Sequence, residues 1–566
     1  MKYRLYIYIA LLSFMIVSCK KGFLDINTDP NNPTKASEAL LLTQSEKAIA
    51  DNFGIGSVLP AVGSILDVYT HQATEYNSNN KYGAVGADVS NMWTGIYVGA
   101  LENLSSLIEE AKPAGNMKYA GIAKVLQAYT FSQMVDIFGD VPFSQAISFK
   151  SEGITTPNFD KGADIYPQLF LMLDTAIMEL QDQTAANIRE PGTDDVIYGG
   201  DVDSWVKAAN TIKLKLYNQE RLVMDVSSEV AALENEPLIN ATAESFVMPY
   251  GTIVSPDNRN PGFLEYTATQ RSVYISPWFY EMLKGYNQNI FTGIEDPRIP
   301  YYWFNQLKPD EPDVEGNTTE YRDGGFVSII FASDGPYHGA AQDNSQTVMG
   351  IYPVGGRYDD GQGAGGKGVN SSSGTGAAPF RMITYADRLY IEAELIKSGV
   401  LPGGDAAART KLEDAINESM KQVDYFVGVT GSVGQSVPKL SGTTGATNYV
   451  KSIMDYYDAN TSQQLQIILT QKWISAFGGN YPDLYSDYRR TGFPIMFDPS
   501  NSQMAPGGMV QPPIHGNPFL DPQPAVPVSI SKKYPISLPW SSDELDANKN
   551  APAQKDPSAF KVFWMP

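Results

Sequence analysis

A single helical stripe constrains the fold most. Ile165, Leu169, Met172, Leu173, Ala176, Ile177 and Leu180 fall on one face of a 3.6-residue period, and this spacing predicts a helix over 162–182. The pattern recurs at Ile122, Leu126, Tyr129 and Val135, predicting a helix over 117–138. It recurs again at Trp205, Ala208, Ala209, Ile212 and Leu216 within 202–224, and a fourth helix is expected near 92–112. Helices with one apolar face and short breaks between them must bury those faces against one another. Antiparallel hairpins do this most simply, so a helical-repeat or solenoid-like body is expected. No strict 34-residue self-similarity accompanies it.

From about 240 to 379 the texture changes, with proline, glycine and aromatics replacing the helical period. The run "FVSIIF" (326–331) reads as a strand inside this loop-rich insertion. Helices resume at 380–398, 405–424 and 461–477, and a proline-rich, irregular tail starts at 494. The expected fold class is mainly α, with small β elements. The expected division is 36–239 for the first helices, 240–379 for the insertion, 380–493 for the returning helices and 494–566 for the tail.

Of the 566 residues, 63 are acidic and 41 basic, for a formal charge of −22. Nucleic acid and anionic lipid surfaces both require clustered Lys and Arg, which this sequence lacks. One cysteine excludes an intramolecular disulfide, and three scattered histidines (His71, His338, His515) exclude a Cys/His zinc cluster. No cofactor is implied, and structural calcium stays open because 63 carboxylates make local clusters easy.

The lone Cys19 sits at the end of an N-terminal apolar run. Lys2 and Arg4 precede a stretch from Leu5 to Val17, which as a helix spans about 20 Å against a hydrocarbon core of about 30 Å. A charged start, a short apolar middle and the small Ser18 describe an export signal over 1–18. "IVSC" resembles a bacterial lipobox, which makes Cys19 the expected lipidation site and 19–35 a tether. Lys20 and Lys21 leave no acidic residue directly after the cysteine, which favours the outer membrane as the location of a lipid-anchored protein.

Three chemical motifs fall short. "GQGAGGKG" (361–368) lacks the hydroxyl that a phosphate loop needs at Gly368, and no strand and helix flank it. "DINTDPNN" (25–32) opens like a calcium loop but carries Pro30 where glycine is required and Ala36 where a glutamate is required. A glycosidase needs two carboxylates about 5–10 Å apart, and the sequence singles out no such pair. No catalytic residue is assigned.

Aromatics beside amides are more suggestive, because sugar rings stack on aromatic faces while amides and acids bond their hydroxyls. "HQATEYNSNNKY" (71–82) offers Tyr76 and Tyr82 with Asn77 and Asn80. "DPRIPYYWF" (296–304) offers Trp303, while "SDGPYHG" (333–339) and "GGRYDD" (355–360) add Tyr337 and Tyr358. These seven residues are the expected ligand-binding set.

Several blocks together resemble the SusD/RagB family of nutrient-binding surface lipoproteins of Bacteroidetes, in its SusD-like branch. They are "FLDINTDPNNPT", "AKVLQAYTFSQMVDIFGDVPFSQAI" (123–147), "NFDKGADIYPQLFLMLDTAI" (158–177) and "IYGGDVDSWVKAANTIKLKLYNQ" (197–219). Later landmarks are "EDPRIPYY", "ILTQKWISAFG", "YRRTGFP" and "ISLPWSSDEL". Lys215 stands where the family usually has arginine, and the glycine-rich 359–376 stretch is long. The resemblance implies a TPR-like helical scaffold with loop insertions carrying the ligand surface. It also implies a non-catalytic protein that acts as lid of a SusC-like TonB-dependent transporter and captures an oligosaccharide or, in some relatives, a peptide. A surface glycoside hydrolase is the remaining alternative. Read as structure, Gly139–Asp140 ends a helix, Trp205 is core, and Arg489 and Arg490 cap carbonyls or pair with acids.

Overall fold

Helix Met117–Phe138 forms where the sequence places it, and its last twenty residues, from Tyr119 on, are buried. It stops at Gly139, whose φ of +80° few other residues tolerate and whose N–H donates to Val135 O at 2.7 Å. A Cβ at Gly139 would also stand 2.6 Å from the Phe560 ring. Gly115, at φ +75°, turns the preceding helix Glu102–Ala114 into it. Helix Gly162–Leu180 packs across Met117–Phe138, and Gly121 allows the approach, since a Cβ there would sit 3.0 Å from Ala176 O. Val202–Glu220, capped by Asp201 accepting from Ser204 N–H at 2.7 Å, packs on both. This computed structural model describes residues 36–56, 62–76, 78–146, 152–267, 273–314, 319–336, 343–499 and 526–566. Cys19, Asn77 and Tyr337 lie outside them.

The later helices are Tyr385–Lys397, Gly404–Thr430, Thr444–Ala459, Gln464–Ser475 and Tyr481–Thr491. Helix dominates the described residues, and the fold is mainly α. Two expected helices are subdivided. The segment near 92–112 is Ser90–Ile96, a π turn over Tyr97–Leu101, then Glu102–Ala114. The segment 380–398 begins as a strand, Phe380–Ile383, paired antiparallel with Phe246–Met248. Its helix starts only after Thr384, whose hydroxyl and backbone N–H form a capping box with Asp387.

The strands are all short pairs. Ala73–Glu75 joins Val273–Ile275, Trp303–Phe304 joins Val348–Met349, and Tyr321–Asp323 joins Phe326–Ser328 in a hairpin. "FVSIIF" is thus a strand over its first three residues.

Charged residues of the helix blocks meet in the interior. Lys215 Nζ stands 2.7 Å from Asp483 Oδ1 and 3.7 Å from Asp136 Oδ2. Asp487 takes Lys472 at 2.7 Å and Arg490 at 2.7 Å. Glu394 is fully buried and receives Arg221 at 2.6 Å and both Nη atoms of Arg490, with Asn218 Nδ2 adding a bond at 2.9 Å. Burial alone would raise the Glu394 pKa, but the Arg490 and Arg221 guanidiniums overcome it and hold the carboxyl well below the usual range.

The tail is not merely irregular, since it caps the end of helix Met117–Phe138. Helix Met117–Phe138 ends with carbonyls that lack intrahelical partners. Leu538 N–H bonds Ile137 O at 2.9 Å, and Lys555 bonds Phe138 O. Trp540 Nε1 bonds Asp140 O at 2.8 Å. Arg489 bonds Asp136 O at 2.6 Å and lies over the Tyr485 ring, 3.8 Å from its centroid. The two arginines thus divide the expected roles, Arg489 on carbonyls and Arg490 on acids.

Candidate functional site

Tyr358 lies where the insertion returns to the helices. Its half-buried ring meets Tyr301 edge-on, with centroids 4.9 Å apart at 65°. Tyr301 is 3% exposed and donates its hydroxyl to Pro438 O at 2.7 Å, so it backs the outer ring rigidly. The Gln435 side-chain amide pins the backbone of Tyr358. Its Oε1 accepts from Tyr358 N–H at 3.1 Å, and its Nε2 donates to Tyr358 O at 2.9 Å.

Polar groups flank the ring on both sides in sequence. Asp359 is fixed by Asn305 Nδ2 at 2.8 Å and by Gly361 N–H at 3.0 Å, and burial raises its pKa. Asp360 is exposed, bonded only along its own turn to Gln362 N–H at 3.0 Å and, at 3.4 Å, to Gln435. The Arg357 guanidinium lies 4.8 Å from the Phe304 centroid. Its Nε is buried without a hydrogen-bond partner among the described residues. A backed aromatic face beside an exposed carboxylate suits a ring-shaped, hydroxyl-bearing ligand.

The expected residues divide. Tyr76 is 41% exposed at the end of strand Ala73–Glu75, where a ligand can reach it. Three others correct the sequence reading. Trp303 is fully buried in a strand, packed near Phe279, Tyr280 and Phe326, so no ring face is open to a sugar. Asn80 is fully buried with both ends of its amide engaged, accepting from Glu75 N–H at 3.1 Å and donating to Ile330 O at 3.2 Å. It staples one loop to another. Tyr82 is 5% exposed, with its hydroxyl 2.9 Å from His71 Nε2 and its ring against Tyr69 and Phe331. Burial drives the His71 pKa down to about 3, so it partners Tyr82 as a neutral ring.

Sequence reasoning missed Gln435, Tyr301 and Arg357. Arg357 adjoins Tyr358 in "GGRYDD", whereas Gln435 lies 77 residues away with no local signal. The glycine-rich 361–368 stretch is an ordered loop resting on Gln306, with Gln306 O accepting from Ala364 N–H at 2.7 Å. Among the described residues, no group of three or more Asp, Glu, His or Cys is positioned to hold a metal ion, and no helix is long and apolar enough to cross a membrane.

The model of a SusD-like family, described as starch-binding and associating with the outer membrane, matches residues 30–512, and the chain belongs to that family. Comparison with curated proteins gives no match. Among solved structures, a chitin-binding protein is 19% identical with a TM-score of 0.65, covering 94% of this chain and 100% of its own. A SusD homologue from Bacteroides fragilis is 19% identical with a TM-score of 0.63, covering 94% and 99%. A SusD/RagB family protein from Bacteroides thetaiotaomicron is 18% identical with a TM-score of 0.62, covering 94% and 99%. At these identities the likeness establishes the fold.

Proposed function

We propose that this chain is a non-catalytic surface lipoprotein that binds an oligosaccharide and serves as lid of a SusC-like TonB-dependent transporter. Family membership supports the class, and the Tyr358 arrangement carries the ligand reading. Stacking on Tyr358 supplies apolar contact with the sugar C–H face, while Asp360 accepts from sugar hydroxyls. Tyr76 is a second exposed ring for the same ligand class.

The test is calorimetric titration of the protein with malto- and chito-oligosaccharides. Tyr358→Ala is expected to weaken binding about tenfold or more, the loss of one aromatic anchor. An unchanged affinity would remove Tyr358 from the site.

Anchoring rests on Cys19, which lies outside the described residues. Palmitate labelling of cells expressing the protein should vanish in Cys19→Ala. Persistent labelling would place the lipid elsewhere.

A further inference from the structure

Helix Glu38–Phe53 buries an acid that no cation meets. Glu46 is fully inaccessible, and its Oε2 accepts from Val196 N–H at 3.0 Å. Its Oε1 is buried too and has no hydrogen-bond partner among the described residues. The side chain that faces Glu46 is another acid, Asp195, the neighbour of the residue that Oε2 bonds and itself buried. Among the described residues neither acid forms an ion pair. Two facing carboxylates without a cation cannot both be charged in the interior, so one of them holds a proton.

The hydrogen bonds say which. Asp195 Oδ1 accepts from Ile197 N–H at 3.1 Å and Tyr198 N–H at 3.0 Å. Its Oδ2 accepts from Gly200 N–H at 2.8 Å and Trp205 Nε1 at 2.7 Å. Four N–H donors suit a carboxylate and none suits an acid O–H, so the charge sits on Asp195 and the proton on Glu46. Burial pushes the Glu46 carboxyl well above the usual range, and the Asp195 charge pushes it further. Asp194 adds a third acid nearby, its Oδ2 accepting from Tyr119 Oη at 2.7 Å. Its backbone O accepts from Thr43 Oγ1 at 2.6 Å, three residues before Glu46 on the same helix.

We propose that Glu46 and Asp195 form a proton-held latch, in which Glu46 Oε1–H donates to the Asp195 carboxylate and fastens helix Glu38–Phe53 to the loop over 191–201 that leads into Val202–Glu220. Loss of the proton leaves Glu46, Asp195 and Asp194 as neighbouring interior anions, so the loop is released as pH rises. Glu394 is built the opposite way, with guanidiniums that keep it ionised. A metal ion is the other means of joining facing carboxylates, but among the described residues no three acids are positioned to hold one. The folded protein keeps the Glu46 proton above the unfolded pKa of about 4.3. The stabilisation is therefore complete below that pH and is lost as pH rises toward the folded value.

The test is urea unfolding of the full chain and of Glu46→Gln from about pH 5 to about pH 9. The amide supplies the same donor to Asp195 and has no proton to lose. The parent's unfolding constant is expected to rise against the variant's by up to about tenfold per pH unit before the ratio levels. A ratio constant across this range overturns the latch. So does failure of Glu46→Gln to fold at neutral pH, because the amide reproduces the protonated acid. Infrared difference spectra at neutral pH should show the C=O band of a protonated carboxylic acid in the parent and not in the variant, and absence of that band overturns the assignment of the proton. Above the pH at which the ratio levels, hydrogen exchange over 191–201 should be faster in the parent than in Glu46→Gln. Equal exchange would show that the proton fastens nothing. None of these readouts involves carbohydrate, so the latch stands or falls apart from the Tyr358 reading.

Discussion

Glu394→Gln should destabilise the fold by about 3–5 kcal/mol, the cost of leaving buried cations without their anion. Glu394 is wholly inaccessible, and Arg221, just past the end of Val202–Glu220, and Arg490, in Tyr481–Thr491, converge on it. A glutamine keeps the shape and one acceptor but no charge, so Arg221 loses its ion-pair partner and Arg490 keeps only Asp487, which Lys472 also holds. The pH dependence carries a definite sign. In the folded state the carboxyl is held below its ordinary value, so the stabilisation is complete above the unfolded pKa of about 4.3. It is lost as pH falls toward the folded value. The gap between parent and variant in urea unfolding should therefore be constant from neutral pH down to about 5 and narrow below about 4. A gap under about 1 kcal/mol at pH 7, the range of an exposed ion pair, would show that the pair is solvated and not interior.

Trp303→Ala should cost about 3–5 kcal/mol as well, through lost transfer energy and the cavity left among Phe279, Tyr280 and Phe326. Trp303 Nε1 is buried without a hydrogen-bond partner among the described residues, so Trp303→Phe forfeits no bond and should cost much less. Oligosaccharide affinity, measured per folded molecule, should be unchanged in Trp303→Phe. Strong loss of binding with parental stability in Trp303→Ala would instead return this residue to the ligand surface. Urea unfolding and calorimetry on the same samples separate the two outcomes.

These residues also mark what could be read in advance. The bounds of Met117–Phe138 were legible because a long apolar period ends at a glycine, the residue that tolerates the positive φ at which the helix stops. Phe380–Ile383 was not, because a short apolar run fits a buried strand as well as a helix. Trp303 and Tyr358 look alike in sequence, each an aromatic in a proline- or glycine-rich stretch. Their difference lies in distant partners, Met349 across a strand pair for one and Gln435 for the other. The acids and bases of the interior were visible as residues, yet nothing local says that Lys215 meets Asp483 rather than water. Burial is a property of the assembled helices, and a single chain of letters does not contain it.

The capping of Met117–Phe138 by the tail has a consequence for the order of events. Trp540 follows the carbonyl it bonds by 400 residues, and Lys555 follows its own by 417. A nascent chain therefore exposes the end of this helix for nearly its whole synthesis, and contacts so far apart reward the chain only after the long loop has closed. Until the last stretch is released, the polypeptide lacks this fastening. A nonsense mutation that removes only the final thirty or so residues would take away Trp540 and Lys555 together, leaving a nearly complete protein that cannot lock.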